Sequence, residues 1–293
     1  MERELREMKA EGRAVADVGK RVEGHDEQIT QMQRRYDELV EAGISVTVGQ
    51  CEEEAKRVNE AYLKFTLTGL PFVIAKYAAS LDGKIATRTG DARWITGITA
   101  RRQANKLRAT SDAVVVGVGT VLADNPMLTA RDDRDHPLPH QPLRIIVDSN
   151  GRTPVNARLF EEPGNILIAG AKIPPNRAVA LKQAGAEILE LPTQEGWVDL
   201  KALMTTIGQR RATTVLVEGG SELLGSVLAQ GLADKFVIFL APMIIGGTEG
   251  VSPTGGVGSD TVAQALNLEN ITVEHVGEDL LVIGYPVKKG TDI

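Results

Sequence analysis

From residue 71 onward, short uninterrupted apolar runs alternate with longer stretches of mixed polarity. The runs at 72–77, 113–116, 143–147, 165–168, 214–217 and 236–240 are rich in Val, Ile, Leu and Phe. A run of this kind lacks the alternation of a half-exposed strand, so each predicts a strand covered on both faces. Between them, helical composition predicts helices at 99–109, 176–184, 198–209 and 221–230, with Thr99 as a candidate N-cap of the first. Glu187-Ile188-Leu189 separates the second and third of these helices. Two late runs, 271–275 and 280–284, predict a closing hairpin and therefore an antiparallel edge. Strands interleaved with helices predict an α/β sheet with helices on both sides. The Pro- and His-containing stretch 132–142 predicts a surface loop, and no internal repeat is present.

The pattern before residue 41 is different. Met8, Val15, Val22, Ile29 and Tyr36 fall seven apart, and Val18, Met32 and Leu39 supply much of a second seam. This heptad spacing is interrupted at Glu11 and His25. Gly12, Gly19 and Gly24 each cost roughly 1 kcal/mol relative to Ala inside a helix. Two readings stand: an amphipathic helix broken before Gln28, or a solvated tail. Residues 1–40 are therefore expected to form a helical or partly disordered arm, without chemistry of its own.

Composition narrows the classes. The 293 residues suffice for a sizeable core. With 33 basic against 39 acidic residues, net −6, and only 4% aromatics, the chain is a poor binder of nucleic acid or anionic membranes. A single cysteine, Cys51, excludes an intrachain disulfide framework and a multi-cysteine zinc site. No run approaches the ~20 apolar residues of a membrane span. The opening Met1-Glu2-Arg3-Glu4 is too charged for a secretory signal. A cytoplasmic protein is the expectation.

Candidate chemistry lies at strand ends. Gly117-Val118-Gly119-Thr120-Val121-Leu122 begins like a dinucleotide fingerprint, but Leu122 stands where the third glycine belongs, so a tight strand-to-helix turn is the favoured reading. In Val217-Glu218-Gly219-Gly220-Ser221, glycines at a helix start would let backbone N–H groups approach a phosphate. Glu218 falls where open α/β sheets place functional groups; the alternative is a glycine turn beside a solvated carboxylate. Ala79-Ser80-Leu81-Asp82-Gly83-Lys84 carries a turn signal. Trp94, among small and polar neighbours, either flanks a ligand or fills the core. Arg108 and Arg131 either grip a phosphate through their forks or sit on the surface. The four histidines, His25, His136, His140 and His275, show no metal spacing, and no metal site is expected.

Taken together, these segments resemble a known family. Phe72-Val73-Ile74-Ala75-Lys76 with Ala79 to Ala86, Trp94-Ile95-Thr96-Gly97, Gly117 to Pro126, and Val217-Glu218-Gly219-Gly220 occur in the order found in the reductase domain of riboflavin biosynthesis. That domain is the C-terminal half of a bifunctional deaminase–reductase, and the resemblance spans about residues 71–287. It implies a dihydrofolate-reductase-like mixed sheet flanked by helices over 71–293. The implied activity is NADPH-dependent reduction of 5-amino-6-(5-phosphoribosylamino)uracil, turning its ribosyl side chain into ribityl. NADPH contacts are implied at Ala78, Trp94, Thr120, Asp124, Ser149, Gly220, Ser221, Glu222, Leu223, Leu224, Gly225 and Ser226. Substrate contacts are implied at Ala92, Arg108, Leu128, Arg131 and Glu218, the two arginines holding the phosphate. Lys76 is a further candidate for orienting the sugar, and Ser149 with Arg152 for meeting the cofactor's 2′-phosphate. The catalytic candidates are Glu218, through substrate hydroxyls or proton handling, and Lys76. Hydride would pass to C1′ after the glycosylamine opens to an imine.

Residues 37–44 and 53–62 resemble the deaminase's last strand and the connecting helix, so 41–70 reads as a deaminase-like remnant. The deaminase's zinc motif is missing: His25-Asp26-Glu27 supplies the letters His-x-Glu, but no Pro-Cys-x-x-Cys follows. Deamination is therefore expected to need a separate deaminase, and the family's habit implies a homodimer. Two alternatives remain at this stage. One is a reductase of the same fold acting on another pterin- or pyrimidine-like compound; the other is a non-catalytic subunit that recruits a deaminase.

Overall fold

The computed structural model describes residues 30–287, apart from Met32 and Glu195. The seam positions Met8, Val15, Val18, Val22, Ile29 and Met32, and the His25 motif, lie outside the described residues. The chain divides into two compact units at Val58/Asn59.

In the first unit, residues 33–41 are helical, with Tyr36 and Leu39 exposed. The expected strand at 37–44 is corrected: Glu38, Leu39, Glu41 and Ala42 are helix formers, and their propensity prevails. Gly43, at φ 74°, ends the helix, with Gly43 N–H on Val40 O and Ile44 N–H on Leu39 O, both 3.0 Å. Helix α1 (Glu52–Val58) follows and buries nothing; Lys56 spans Glu52 and Glu53 on its surface.

The second unit opens with α2 (Glu60–Thr68) and continues as β1 (Phe72–Ser80), α3 (Ile98–Ala109), β2 (Ala113–Gly117), α4 (Val118–Asp124), β3 (Leu143–Val147) and β4 (Ile166–Gly170). After these come α5 (Pro175–Gln183), β5 (Ala186–Glu190), the small β6 (Thr193–Gln194) and β7 (Trp197–Val198), α6 (Leu200–Gln209), β8 (Thr214–Glu218), α7 (Ser221–Ala229), β9 (Lys235–Ala241), β10 (Leu268–Val276) and β11 (Asp279–Pro286). One nine-stranded sheet has the order β10-β11-β9-β1-β8-β2-β3-β4-β5. It is parallel from β9 to β5 and closes with the antiparallel β10–β11 hairpin, as expected.

Successive residues of β2 show why both faces must be covered. Val115 joins Ile145, Val217 and the α6–α7 side chains Leu203, Ile207, Leu224 and Val227. Its neighbours Val114 and Val116 turn to the opposite layer, with Ile146, Ile168, Val121 of α4 and Leu181 of α5. Fully burying each such side chain contributes roughly 1.5–3 kcal/mol. Gly208 lets α6 approach the main chain ahead of β1, because a Cβ there would stand 2.2 Å from Gly69 O.

Helix α2 is fastened to the sheet by charge. Lys235 meets Glu60 at 2.7 Å, the Tyr285 hydroxyl donates to the same carboxylate at 2.8 Å, and Lys64 pairs with Asp234. The expected cap of α3 is corrected too: the helix starts at Ile98 with Gly97 at N-cap, and Thr99 lies inside the first turn.

Candidate active site

Strands β1, β8 and β2 lie side by side, and their C-terminal ends open into a cleft of about 820 Å³. Open α/β sheets place ligands at such ends. The floor is a cluster of buried charge. In the β1–β8 register Lys76 is the partner of Glu218, and Lys76 Nζ lies 3.8 Å from Glu218 Oε2. Arg108, reaching over from α3, donates from Nε to Oε1 at 2.5 Å and from Nη2 to Oε2 at 2.9 Å. Its third nitrogen, Nη1, donates to Thr129 O at 3.3 Å.

This arrangement sets three protonation states. Burial pushes Lys76 below the ordinary lysine range; the Glu218 charge opposes that and the Arg108 charge adds to it. Burial alone would raise Glu218, but the charges of Arg108 and Lys76 outweigh it and hold the carboxyl below its usual value. Burial opposes protonation of Arg108, and the Glu218 charge more than restores it. The cluster therefore favours the charged form of the carboxylate and disfavours that of the lysine beside it.

The wall is formed by the turn at 92–97 and the segment 124–135. Trp94 is 67% exposed, with the Arg101 guanidinium 4.4 Å from its ring centroid. Asp124 sits at the end of α4, where burial raises its carboxyl and the Arg93 charge partly offsets that. Leu128 is buried with φ 60°, a left-handed backbone that costs a non-glycine residue on the order of 1–3 kcal/mol. Arg131 spends its fork inside the protein, on Glu162 at 2.6 Å, Asp135 O at 2.6 Å and Thr129 Oγ1 at 2.9 Å. Beneath this segment lies Arg144, wholly buried, its guanidinium on the carbonyls of Leu159, Gly164 and Glu162 at 2.7, 2.7 and 3.1 Å. Burial lowers its pKa to about 10, which leaves it charged.

The roof edge is the β8–α7 turn. Gly219 and Gly220 have φ 67° and 83°. A Cβ on Gly219 would meet nothing within 4 Å, and one on Gly220 would approach Thr120 Oγ1 at 3.0 Å. Bare backbone thus borders open space at the start of a nine-residue helix, which suits a diphosphate. The residues present fit a dinucleotide cofactor.

The cleft brings together Lys76, Ala78, Ala92, Trp94, Arg108, Thr120, Asp124, Leu128, Arg131, Glu218 and Gly220 of the residues singled out from sequence. Others stand elsewhere. Leu223 and Leu224 face the core because that side of α7 packs on the sheet, and Gly225 is buried against the main chain of Gly255, while Glu222 and Ser226 are exposed and Ser221 is half-buried. Ser149 is 7% exposed, and its hydroxyl accepts from Val198 N–H at 3.3 Å, so it does not line the cleft. Arg108 presents no open fork to a phosphate, since two of its nitrogens are held by Glu218. Sequence reasoning missed Arg101, for which the only signal was its place one helical turn inside α3 after Trp94. It also missed the internal pairing of Arg108 with Glu218, which local pattern does not encode.

The family model described as RibD C-terminal domain matches residues 71–282. Riboflavin biosynthesis protein RibD of Actinobacillus pleuropneumoniae is 35% identical over 251 residues, covering 85% of this chain and 66% of the relative. RibD of Aquifex aeolicus is 38% identical over 248 residues, covering 84% and 66%. The chain thus spans about two thirds of the length of the curated relatives it matches. Among solved structures, Acinetobacter baumannii RibD (form 1) superposes with a TM-score of 0.73 at 32% identity, covering 85% of this chain and 67% of that one. A diaminohydroxyphosphoribosylaminopyrimidine deaminase/5-amino-6-(5-phosphoribosylamino)uracil reductase from Thermotoga maritima gives 0.69 at 30%, covering 86% and 67%.

Proposed function

This chain belongs to the RibD C-terminal domain family, and on that premise we propose that it is a pyrimidine reductase of riboflavin biosynthesis. In this reading it reduces 5-amino-6-(5-phosphoribosylamino)uracil to the ribitylamino product with NADPH. The observation that carries the reading is the buried Lys76–Glu218–Arg108 cluster on the floor of a cleft rimmed by the Gly219–Gly220 turn.

NADPH, when bound, supplies the hydride. The Gly219 and Gly220 backbone would hold its diphosphate, with Thr120 beside the turn and Ala78 and Trp94 as the flanking surfaces. The chain's own residues manage the substrate. Glu218, kept ionised, accepts hydrogen bonds from ribose hydroxyls and fixes the sugar over the sheet edge. Lys76 donates a proton to the ring oxygen as the O4′–C1′ bond breaks, the nitrogen lone pair forming the C1′=N bond; hydride then adds at C1′. One hydride and one proton enter, and the linear ribitylamine leaves. Arg108 takes part by keeping Glu218 charged and oriented. Arg131, on the rim with Leu128 and Ala92, is the proposed partner of the substrate phosphate, which would have to draw its fork away from Glu162 and the Asp135 carbonyl. Positioning of donor and acceptor provides much of the acceleration.

Three finer features belong to the proposal. A homodimer is supported by β10, an edge strand of the sheet on which Ile271 and Val273 are both exposed. A cytoplasmic setting is supported by the choice of a phosphorylated substrate and a nicotinamide donor. Deamination is assigned to residues outside these 293, because Cys51 is their sole cysteine for a zinc site of that kind.

The test is direct. Incubation with NADPH and the phosphoribosylamino substrate should consume the nicotinamide absorbance in a one-to-one ratio with ribitylamino product. No substrate-dependent consumption with either NADPH or NADH would overturn the reading.

A further inference from the structure

We propose that Asp279, a carboxylate on the hairpin that closes the sheet, is the positioning residue for Trp94. It holds the amide of Gly97 and so fixes the turn that carries the indole into the cleft; the inference rests on the reductase reading above. Asp279 is the first residue of β11 and is 2% exposed. A carboxylate so buried must be engaged, and its Oδ2 accepts from Gly97 N–H at 2.8 Å. Gly97 is the N-cap of α3 and has no side chain with which to cap the helix. Asp279 takes up the amide of that N-cap residue itself from 182 residues away, at the helix end where the dipole favours negative charge.

Two glycines permit the approach. A Cβ on Gly97 would lie 3.3 Å from Asp279 Oδ2, and one on Gly277, in the hairpin turn at φ 69°, would lie 3.1 Å from Thr99 Oγ1. The hairpin turn therefore sits on the first turn of α3. From Gly97 the constraint passes to Trp94 through Arg101. The Arg101 N–H donates to Gly97 O at 3.2 Å, its Nη1 donates to Thr96 O at 2.6 Å, and its guanidinium plane backs the indole at 4.4 Å. With two thirds of its surface open, Trp94 gains little from burial; the stacked Arg101 is what sets its pose. Asp279 touches neither Lys76 nor Glu218, so its influence falls on cofactor binding and not on proton transfer.

The experiment uses Trp197→Phe as the parent, which leaves Trp94 as the sole tryptophan of the two in the chain. Asp279→Ala should raise acrylamide quenching of Trp94 without any cofactor present. It should also raise the NADPH dissociation constant about tenfold or more, with kcat at saturating NADPH within about twofold of the parent. Asp279→Asn keeps an acceptor oxygen and should restore the dissociation constant to within roughly threefold. A folded Asp279→Ala protein with lowered Tm but unchanged quenching and unchanged NADPH affinity would overturn the proposal. If that variant does not fold, Gly97→Ala, whose methyl presses on Oδ2, carries the same expectations and the same overturning result. A parent that binds no NADPH overturns the reductase reading, whereas the cofactor-free quenching still decides the role of Asp279.

Discussion

Lys76 and Glu218 face each other across neighbouring parallel strands, 3.8 Å apart, with the Arg108 fork closing over the carboxylate from α3. The strand register creates this contact: moving β8 by one residue would send Glu218 to the opposite face of the sheet.

Glu218→Gln keeps the shape and removes the charge. Turnover should fall on the order of 10²–10⁴-fold, the scale of a lost proton-handling or charge-stabilising group, while NADPH affinity stays near the parent value. Steady-state kinetics with a separate NADPH titration checks this. Weakened NADPH binding with unchanged kcat would move Glu218 to the cofactor's half of the cleft.

The pH profile should report Lys76. Its pKa lies below the ordinary lysine value because the side chain is buried. A proton donor works only while protonated, so kcat should decline as pH rises through that lowered value, below the ~10.4 of an exposed lysine. Lys76→Met should be slow and should lack this alkaline limb. A limb that persists in the variant assigns the proton to another group.

Arg108→Met should destabilise the fold by about 3–5 kcal/mol, because it strands a buried carboxylate. Adding Glu218→Gln to it should recover part of the loss, since the remaining partner is then neutral. Thermal and urea unfolding of the two single variants and the pair give the cycle. Strict additivity would mean that the two side chains do not interact.

Arg131→Ala should act on substrate affinity. Loss of a charge-assisted contact to phosphate costs ~1.5–3 kcal/mol, which corresponds to roughly a 10- to 150-fold rise in KM. The dephosphorylated substrate should lose little from the same substitution. Equal losses for both substrates would place the phosphate elsewhere on the rim.

Asp82 ties the turn after β1 to the segment after β9. The Ser80 hydroxyl, with the Gly246 and Ile245 amides, brings its pKa down to about 2. A carboxyl lowered on folding stabilises the native state above its unfolded pKa near ~3.9, and that contribution disappears as pH falls toward the folded value. Asp82→Asn should therefore narrow the stability gap between pH 5 and pH 2. An acid-unfolding curve with unchanged shape would show that the carboxylate charge is not the source.

The parts of this fold legible in sequence are those that local pattern encodes. Val114-Val115-Val116 could only be a strand covered twice, and Gly219-Gly220 could only be a turn free of side chains. The parts that were not legible depend on distant partners. Thr99 is a good N-cap by type, yet the N-cap is Gly97, whose amide is held by Asp279 from β11. Arg108 resembles a phosphate grip until the sheet register sets Glu218 beneath it. Leu223 and Leu224 share a motif with Gly220, but their direction along α7 sends them into the core. Residues 37–41 show the converse case, in which helix propensity prevailed over an expectation borrowed from family likeness.

The fastening of α2 sets how far the domain can be trimmed. Asp234 and Lys235 stand at the start of β9, next to β1 in the sheet, and each finds its counter-charge on α2, at Lys64 and Glu60. Asp234 also accepts from Val73 N–H at 2.8 Å, so the same carboxylate anchors the first strand. A chain cut to the family boundary at Pro71 would leave those two side chains without their opposite charges and uncover the strip of sheet that α2 shields. A piece that keeps these pairs begins at Asn59, where the second compact unit starts, and a chain cut there is expected to unfold in one cooperative step.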